Sequence, residues 1–217
     1  MSSIFIYVVD RDFGFAPNPF HGSCTLATCK PGIRNSAFAG DWVFGMGGSR
    51  LHATGKCIFA MRVSKKLTFC QYWTAPDFKD KKPVRNGSLK MMVGDNIYFR
   101  PSADDPWQQA DSHHSNADGT PNAHNVNSDT SADAVLVSDH FYYFGSSAPL
   151  VNDSILSEMG YKNRRQYRRF DLIGPGAKLV AWLEAHHSSA LNRVRGDPFD
   201  FDNGAARYEG RSDTLSE

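Results

Sequence analysis

Apolar residues recur at a period of two, or in short unbroken runs, through the first two-thirds of the chain, and at a spacing of three to four only near its end. Residues 4–9 are a β-branched and aromatic run closed by Asp10-Arg11-Asp12 and Gly14, which predicts a largely buried strand. Residues 16–22 contain Pro17 and Pro19, which fix φ and remove backbone donors, so they read as loop. A strand is predicted over 40–45, and another over 56–63, where Cys57, Phe59, Met61 and Val63 alternate with Ile58, Ala60 and Arg62. The glycine-rich stretch 45–50 reads as the connection of an antiparallel pair. Residues 67–73 fit either a strand or a short helix. Asn86-Gly87 marks a turn, and 91–99 reads as a strand, or two short ones, around Gly94-Asp95.

Residues 101–133 are rich in Ser, Asn, Asp and Gly and carry no apolar period, which predicts a long loop of the kind that is either functional or disordered. Strand character returns at 134–138 and 141–145, arranged as a hairpin about Asp139-His140. A short helix capped by Asn152 or Asp153 follows, then a basic tract over 162–169. The clearest helix covers 176–194, closed by Gly196 and Pro198. Strands first and helices last give an α+β class, a small, mostly antiparallel barrel or curled sheet with C-terminal helices. Residues 1–202 read as one domain and 203–217, nearly free of apolar residues, as a flexible C-terminal tail.

With 217 residues, 41% hydrophobic and 22% charged, the composition is that of one globular domain and excludes disordered or coiled-coil classes. The formal net charge of +1 hides a sorting of sign. Residues 1–100 hold 14 Lys/Arg against 6 Asp/Glu, or +8, and 162–217 hold 10 against 8, or +2. Between them, residues 101–161 hold nine acids and no Lys or Arg, together with His113, His114, His124 and His140. Such sorting points to local, selective contact with an anionic partner rather than bulk binding. No basic n-region precedes the 4–9 run, and no apolar stretch approaches the roughly 20 residues of a membrane span, so a cytoplasmic protein without membrane contact is expected. Four cysteines without a C-x-x-C pair indicate neither a disulfide framework nor a zinc ribbon.

Candidate chemistry concentrates in two places. Asp111-Ser112-His113-His114-Ser115 combines imidazoles, hydroxyls and a carboxylate, a set suited to general acid–base work with His113 or His114 as the acid or base and Asp111 or Asp95 orienting it. Its spacing matches no metal motif, so no metal is expected. In Cys24-Thr25-Leu26-Ala27-Thr28-Cys29-Lys30-Pro31, Cys24 is the candidate nucleophile, given a positive neighbourhood from Lys30 and a histidine elsewhere, while Lys30 and Arg34 suit anions. Gly45-Met46-Gly47-Gly48 lacks the spacing of a phosphate-binding loop, and no cofactor is implied. Arg164, Arg165, Arg168 and Arg169 around Tyr167 suit a nucleic-acid backbone or, equally, a solvated helix face.

The order of Phe15-Ala16-Pro17-Asn18-Pro19-Phe20, the Cys24–Pro31 string, Gly40-Asp41-Trp42-Val43, Ser112-His113-His114-Ser115 and Phe141-Tyr142-Tyr143-Phe144-Gly145 resembles the second family of nucleotide modification associated domains, over about residues 4 to 195. That resemblance implies the context of DNA base hypermodification in phages and bacteria. The Gly-Asp-Trp-Val strand start and its following strand are also similar to the EVE and ASCH domains of the PUA-like superfamily. This second likeness implies a small barrel that holds an extruded base, with Phe20 or Trp42 stacking and Thr25, Ser112 and Ser115 reading polar edges. The expectation is recognition of a modified base, nucleotide or nucleic-acid strand, with other base-modification proteins as further partners. The alternative is an enzyme on the same substrates that uses a His/Asp pair and a cysteine.

Overall fold

The computed structural model describes residues 2–216. Its strands are β1 (Ser3–Val9), β2 (Cys24–Leu26), β3 (Trp42–Gly47), β4 (Cys57–Arg62), β5 (Lys65–Leu67), β6 (Tyr98–Phe99), β7 (Gln108–Gln109), β8 (Val135–Ser138), β9 (His140–Tyr143), β10 (Tyr167–Asp171), β11 (Arg207–Glu209) and β12 (Thr214–Ser216). Its helices are α1 (Pro31–Ser36), α2 (Phe69–Thr74), α3 (Leu89–Met92), α4 (Ala123–Thr130), α5 (Asp153–Glu158) and α6 (Pro175–His187).

The main sheet has the order β10-β1-β3-β4-β9. Strand β1 runs parallel to β3, with Ile4 opposite Trp42, and antiparallel to β10; β4 is antiparallel to both β3 and β9. Central position explains the unbroken apolar run of β1, because both of its faces are covered. Ile155, Leu156, Leu179 and Leu183 of α5 and α6 pack into the same core as these strands. A second sheet, β2-β8-β5, separates two cores: Leu26 and Leu136 belong to the first, while Val135 and Val137 join Phe69, Tyr72 and Tyr98 in the second. The period of two in β8 thus feeds both cores at once.

Two of the chain's passages between these sheets are short corners, from β4 through Ser64 into β5 and from β8 through Asp139 into β9. The Ser64 hydroxyl donates to the Asp139 carboxylate, and the Asp139 N–H returns to the same hydroxyl at 3.1 Å, clasping the two crossings. The hairpin expected about Asp139-His140 is therefore a corner. Among the described residues no sheet closes into a barrel, so the architecture is α+β with open sheets. Among the described residues no helix is long and apolar enough to cross a membrane.

Six other expectations are refined or change. Residues 67–73 divide, β5 ending at Leu67 and α2 starting from a capping box in which Thr68 accepts from the Gln71 N–H and the Gln71 side chain accepts from the Thr68 N–H. Met91 and Met92 lie in α3, and only Tyr98–Phe99 forms a strand in the 91–99 stretch. The 101–133 stretch is no structureless loop, since it contains β7 and α4. The buried positions of α4 are Asn125 and Asp129, polar residues one turn apart, so its inward face carries no hydrophobic signal. The basic tract is not a helix: Tyr167, Arg168 and Arg169 lie in edge strand β10. The clearest helix ends earlier than its period suggests, at His187. Residues 207–216, within the segment expected as a tail, form the β11–β12 ribbon, which packs Tyr208 beside His113 and His114.

Candidate active site

A cavity of about 870 Å³ opens between the end of β1, the turn before α1, the β3–β4 connection, the approach to β10 and the β11–β12 ribbon. Cys29, Lys30, His113, His114 and Tyr208 contribute to its lining. Cys29 lies in a tight strand-to-helix turn. After β2 the chain places Cys29 at φ 55° and Lys30 at φ 41°, two consecutive left-handed non-glycine residues, and Pro31 then begins α1. Strain of about 1–3 kcal/mol for each such residue persists only where the surroundings hold it. Here they do. The Cys29 N–H donates to Asp129 Oδ1 at 2.7 Å, and fully buried Arg34 reaches back from α1 to the Cys29 carbonyl at 2.8 Å. The same guanidinium donates to the carbonyls of Asp129, Ala132 and Ala134, tying the turn to the end of α4.

Opposite the thiol stands His114. Its Nε2 is 3.8 Å from Cys29 Sγ, and its Nδ1 is 2.8 Å from Asp129 Oδ2. Because the carboxylate accepts, Nδ1 carries the hydrogen and Nε2 faces the sulfur. Tyr98 Oη donates to the same carboxylate oxygen at 2.8 Å, and the side-chain amides of Gln109 and Asn125 hold the His114 carbonyl at 3.1 and 2.9 Å. Burial opposes a charge on His114, but Asp129 and the Cys29 sulfur outweigh it and hold the imidazole up to about 10. Burial would likewise raise Asp129, yet His114, Arg34 and Tyr98 bring its carboxyl below the ordinary carboxylate value. His113 behaves oppositely. Packed on Phe13 and Phe15, with Nδ1 2.6 Å from the Ala206 carbonyl, it is driven down to about 3 by burial and then by the charge of His114. Two adjacent histidines thus hold different charges at neutral pH, one set by a carboxylate and the other by a carbonyl.

Cys29, His114 and Asp129 offer donor atoms within 4.8 Å of one another, close enough to suggest a metal site. Their hydrogen bonds argue against a resident ion. Both Asp129 oxygens already accept, from the Cys29 N–H on one side and from Tyr98 and His114 on the other, leaving a thiol and one imidazole nitrogen.

The sequence profile of nucleotide modification associated domain 2 matches residues 1–205. The chain belongs to this family. No curated protein and no solved structure matches it.

In this nucleotide modification associated domain, the residues singled out by sequence fall into three groups. His113, His114 and Lys30 line the cavity, as do Arg164 and Arg165. A second group is buried elsewhere. Cys24 is wholly inside, its thiol pushed up to about 12 by burial and its sulfur 4.0 Å from that of Met61, so it meets no imidazole. Asp95 and Thr25 bond to each other and to Tyr72 in a sealed cluster, far from orienting a histidine. Phe20 and Trp42 are core aromatics, with no face left for a base, and Arg34 spends its donors on carbonyls rather than an anion. Ser112 and Ser115 are buried and bond to each other and to nearby backbone. The third group is peripheral. Asp111 pairs with Arg207, Arg168 donates to the Tyr167 carbonyl, and Arg169 donates to Ser3 Oγ at 3.0 Å. Sequence reading missed Cys29 as the member of its motif that lines the cavity beside His114, and it missed Asp129 and Tyr208 altogether. The signal available for Asp129 was its place one turn beyond Asn125, with Asn122 as a cap. The glycines of Gly45-Met46-Gly47-Gly48 have packing reasons: a Cβ on Gly45 would lie 2.1 Å from the Phe59 ring.

Proposed function

We propose that this protein is a cysteine-dependent enzyme of nucleotide modification, with Cys29 as nucleophile, His114 as acid–base and Asp129 as the residue that positions His114. The observation that carries the reading is the chain Cys29 Sγ, 3.8 Å, His114 Nε2, with Nδ1 2.8 Å from Asp129, in which Cys29 and His114 line the cavity and Asp129 stands behind them. Nucleophile, base and orienting acid in this order are the requirement for covalent catalysis, and the first contact is commonly long before substrate binds. The substrate class, a nucleotide or nucleobase, rests on the family. His114 enters the reaction protonated on Nε2, and Cys29 Sγ, as the thiolate partner of that imidazolium, bonds to an electrophilic carbonyl- or amidine-type carbon. The Nε2 proton passes to the leaving group, which departs. Water, deprotonated by the now neutral Nε2, then attacks the same carbon and the sulfur leaves as the thiolate, restoring the ion pair.

The recognition reading draws on the same cavity, which carries aromatic and cationic residues but none of the stacking residues expected from sequence. Two measurements separate the readings. Mass spectrometry of nucleosides from cells carrying the wild-type gene with its neighbours should show a modified species that Cys29→Ser removes. Iodoacetamide at neutral pH should label Cys29 ahead of buried Cys24 and Cys57. A nucleoside change that survives Cys29→Ser rules out the enzyme; nucleotide binding without any change favours the reader.

A further inference from the structure

The cavity wall carries five Lys and Arg side chains, Arg11, Lys30, Arg50, Arg164 and Arg165, against the acids Asp10 and Asp213. Two of the five are aimed at one point. Arg11 follows β1 and Arg50 lies in the β3–β4 connection, yet Arg11 Nε is 3.3 Å from Asp213 Oδ1 and Arg50 Nη2 is 3.4 Å from Asp213 Oδ2. Arg11 Nη2 also donates to the Asp213 carbonyl at 2.8 Å, and Tyr208 Oη donates to Oδ1 at 3.3 Å. Guanidinium groups brought from separate segments onto a single pair of oxygens form the arrangement that grips a phosphate. Their present occupant sits between β11 and β12, at φ 54°, outside the family-matched residues 1–205 that contain both arginines. The carboxylate is 45% exposed and Arg50 47%, so water screens the contact and little holds it shut.

We propose that Arg11 and Arg50 are the phosphate subsite of this cavity, and that Asp213 fills it as an internal competitor until a phosphate-bearing ligand displaces it. The proposal rests on the reading that the cavity receives a nucleotide, and it names the group by which that nucleotide is held. A phosphate dianion offers more charge and more acceptor oxygens than one carboxylate, so exchange favours the ligand. The turn that bears Asp213 is then displaced from the cavity mouth, while Tyr208 stays anchored through its N–H to the His113 carbonyl and its carbonyl to Asn125.

The test is calorimetric titration of the full-length Cys29→Ser chain, in which chemistry cannot interfere, with inorganic phosphate, thymidine, thymidine 5′-monophosphate and a short single-stranded oligodeoxynucleotide. Asp213→Asn is expected to tighten binding of the phosphate-bearing probes about fivefold, and Arg11→Gln or Arg50→Gln to weaken it about tenfold, leaving thymidine unmoved. A preference for the monophosphate assigns the source to free nucleotides; a preference for the oligonucleotide assigns it to a strand. Asp213→Glu, which keeps the charge, should behave as the parent. The proposal is overturned if Asp213→Asn fails to tighten phosphate binding, if the arginine variants bind normally, or if no probe binds. Such a failure with Cys29 still selectively alkylated removes the subsite alone. Loss of selective alkylation with the phosphate effect intact removes the catalytic reading alone.

Discussion

Two clusters of buried ionisable groups flank β2, and they use burial differently. In one, Lys81 Nζ donates to the carbonyls of Asn18 and Ser23 at 2.9 and 2.7 Å and to Asn18 Oδ1 and Thr25 Oγ1 at 3.0 and 3.1 Å. Asp95 accepts from Thr25 and Tyr72, each at 2.7 Å. Burial brings the Lys81 ammonium down to about 8 and raises the Asp95 carboxyl. In the other, Asp129, His114 and Cys29 are bonded just as fully, except that the series ends on a half-buried thiol facing a cavity. Shifted titration is common to both clusters, so it does not distinguish a frame from a reactive site. Access does.

Breaking each cluster in turn tests that distinction. The largest effect on turnover is expected from Cys29→Ser, a loss of about a thousandfold or more in kcat measured by nucleoside analysis, with the melting temperature little changed. Asp129→Asn should cost about a hundredfold or more and, unlike a loss of packing, should alter the pH dependence of Cys29 alkylation, because His114 loses the partner that sets its charge. The sealed cluster should respond in the opposite sense. Lys81→Met leaves Asp95 buried without its cation and is expected to cost about 3–5 kcal/mol in denaturant unfolding while chemistry per folded molecule is retained. A large loss of turnover in folded Lys81→Met would erase the contrast between the clusters.

The smallest effect is the most specific. His114 is held at about 10, above its unfolded value, so its contribution to stability is complete below about 6.5 and is lost as pH rises toward 10. His113 is held at about 3, below its unfolded value, so stability falls as pH drops from about 6.5 toward 3, where only the unfolded chain takes up the proton. Thermal unfolding across pH should therefore peak near neutrality. His114→Gln should flatten the alkaline limb and His113→Gln the acid limb, by shifts of about a few degrees.

Where side chains repeat with an apolar period, the sequence was readable. The 4–9 run, the 40–45 and 56–63 strands, the Asn152 cap and the core of the last helix all stand where periodicity puts them. The 101–133 stretch was opaque because its order comes from polar pairing. Asn125 and Asp129 face inward to satisfy His114, Tyr98 and the Cys29 backbone, and Asn122 caps their helix by accepting from the Asn125 N–H, none of which a hydrophobic template detects. For the cysteines the limit was geometric. Cys24 and Cys29 share one motif, and only the turn after β2 decides that the first faces Met61 and the second the cavity. The acidic character of 101–161 likewise finds its use only in three dimensions, in Asp129 under the imidazole and Asp111 against Arg207.

Arg34 has a consequence in time as well as in space. Its bonds to Asp129, Ala132 and Ala134 span 95–100 residues, and they join the turn that carries the thiol to the helix that carries its acid. Contacts of such separation form only after much of the intervening chain has collapsed. A nascent chain that has emerged through residue 100 therefore carries Cys29 without its imidazole and carboxylate, which arrive only when the acidic segment docks. On the proposed mechanism the protein is its own safety catch, its sulfur armed as one of the later events of folding.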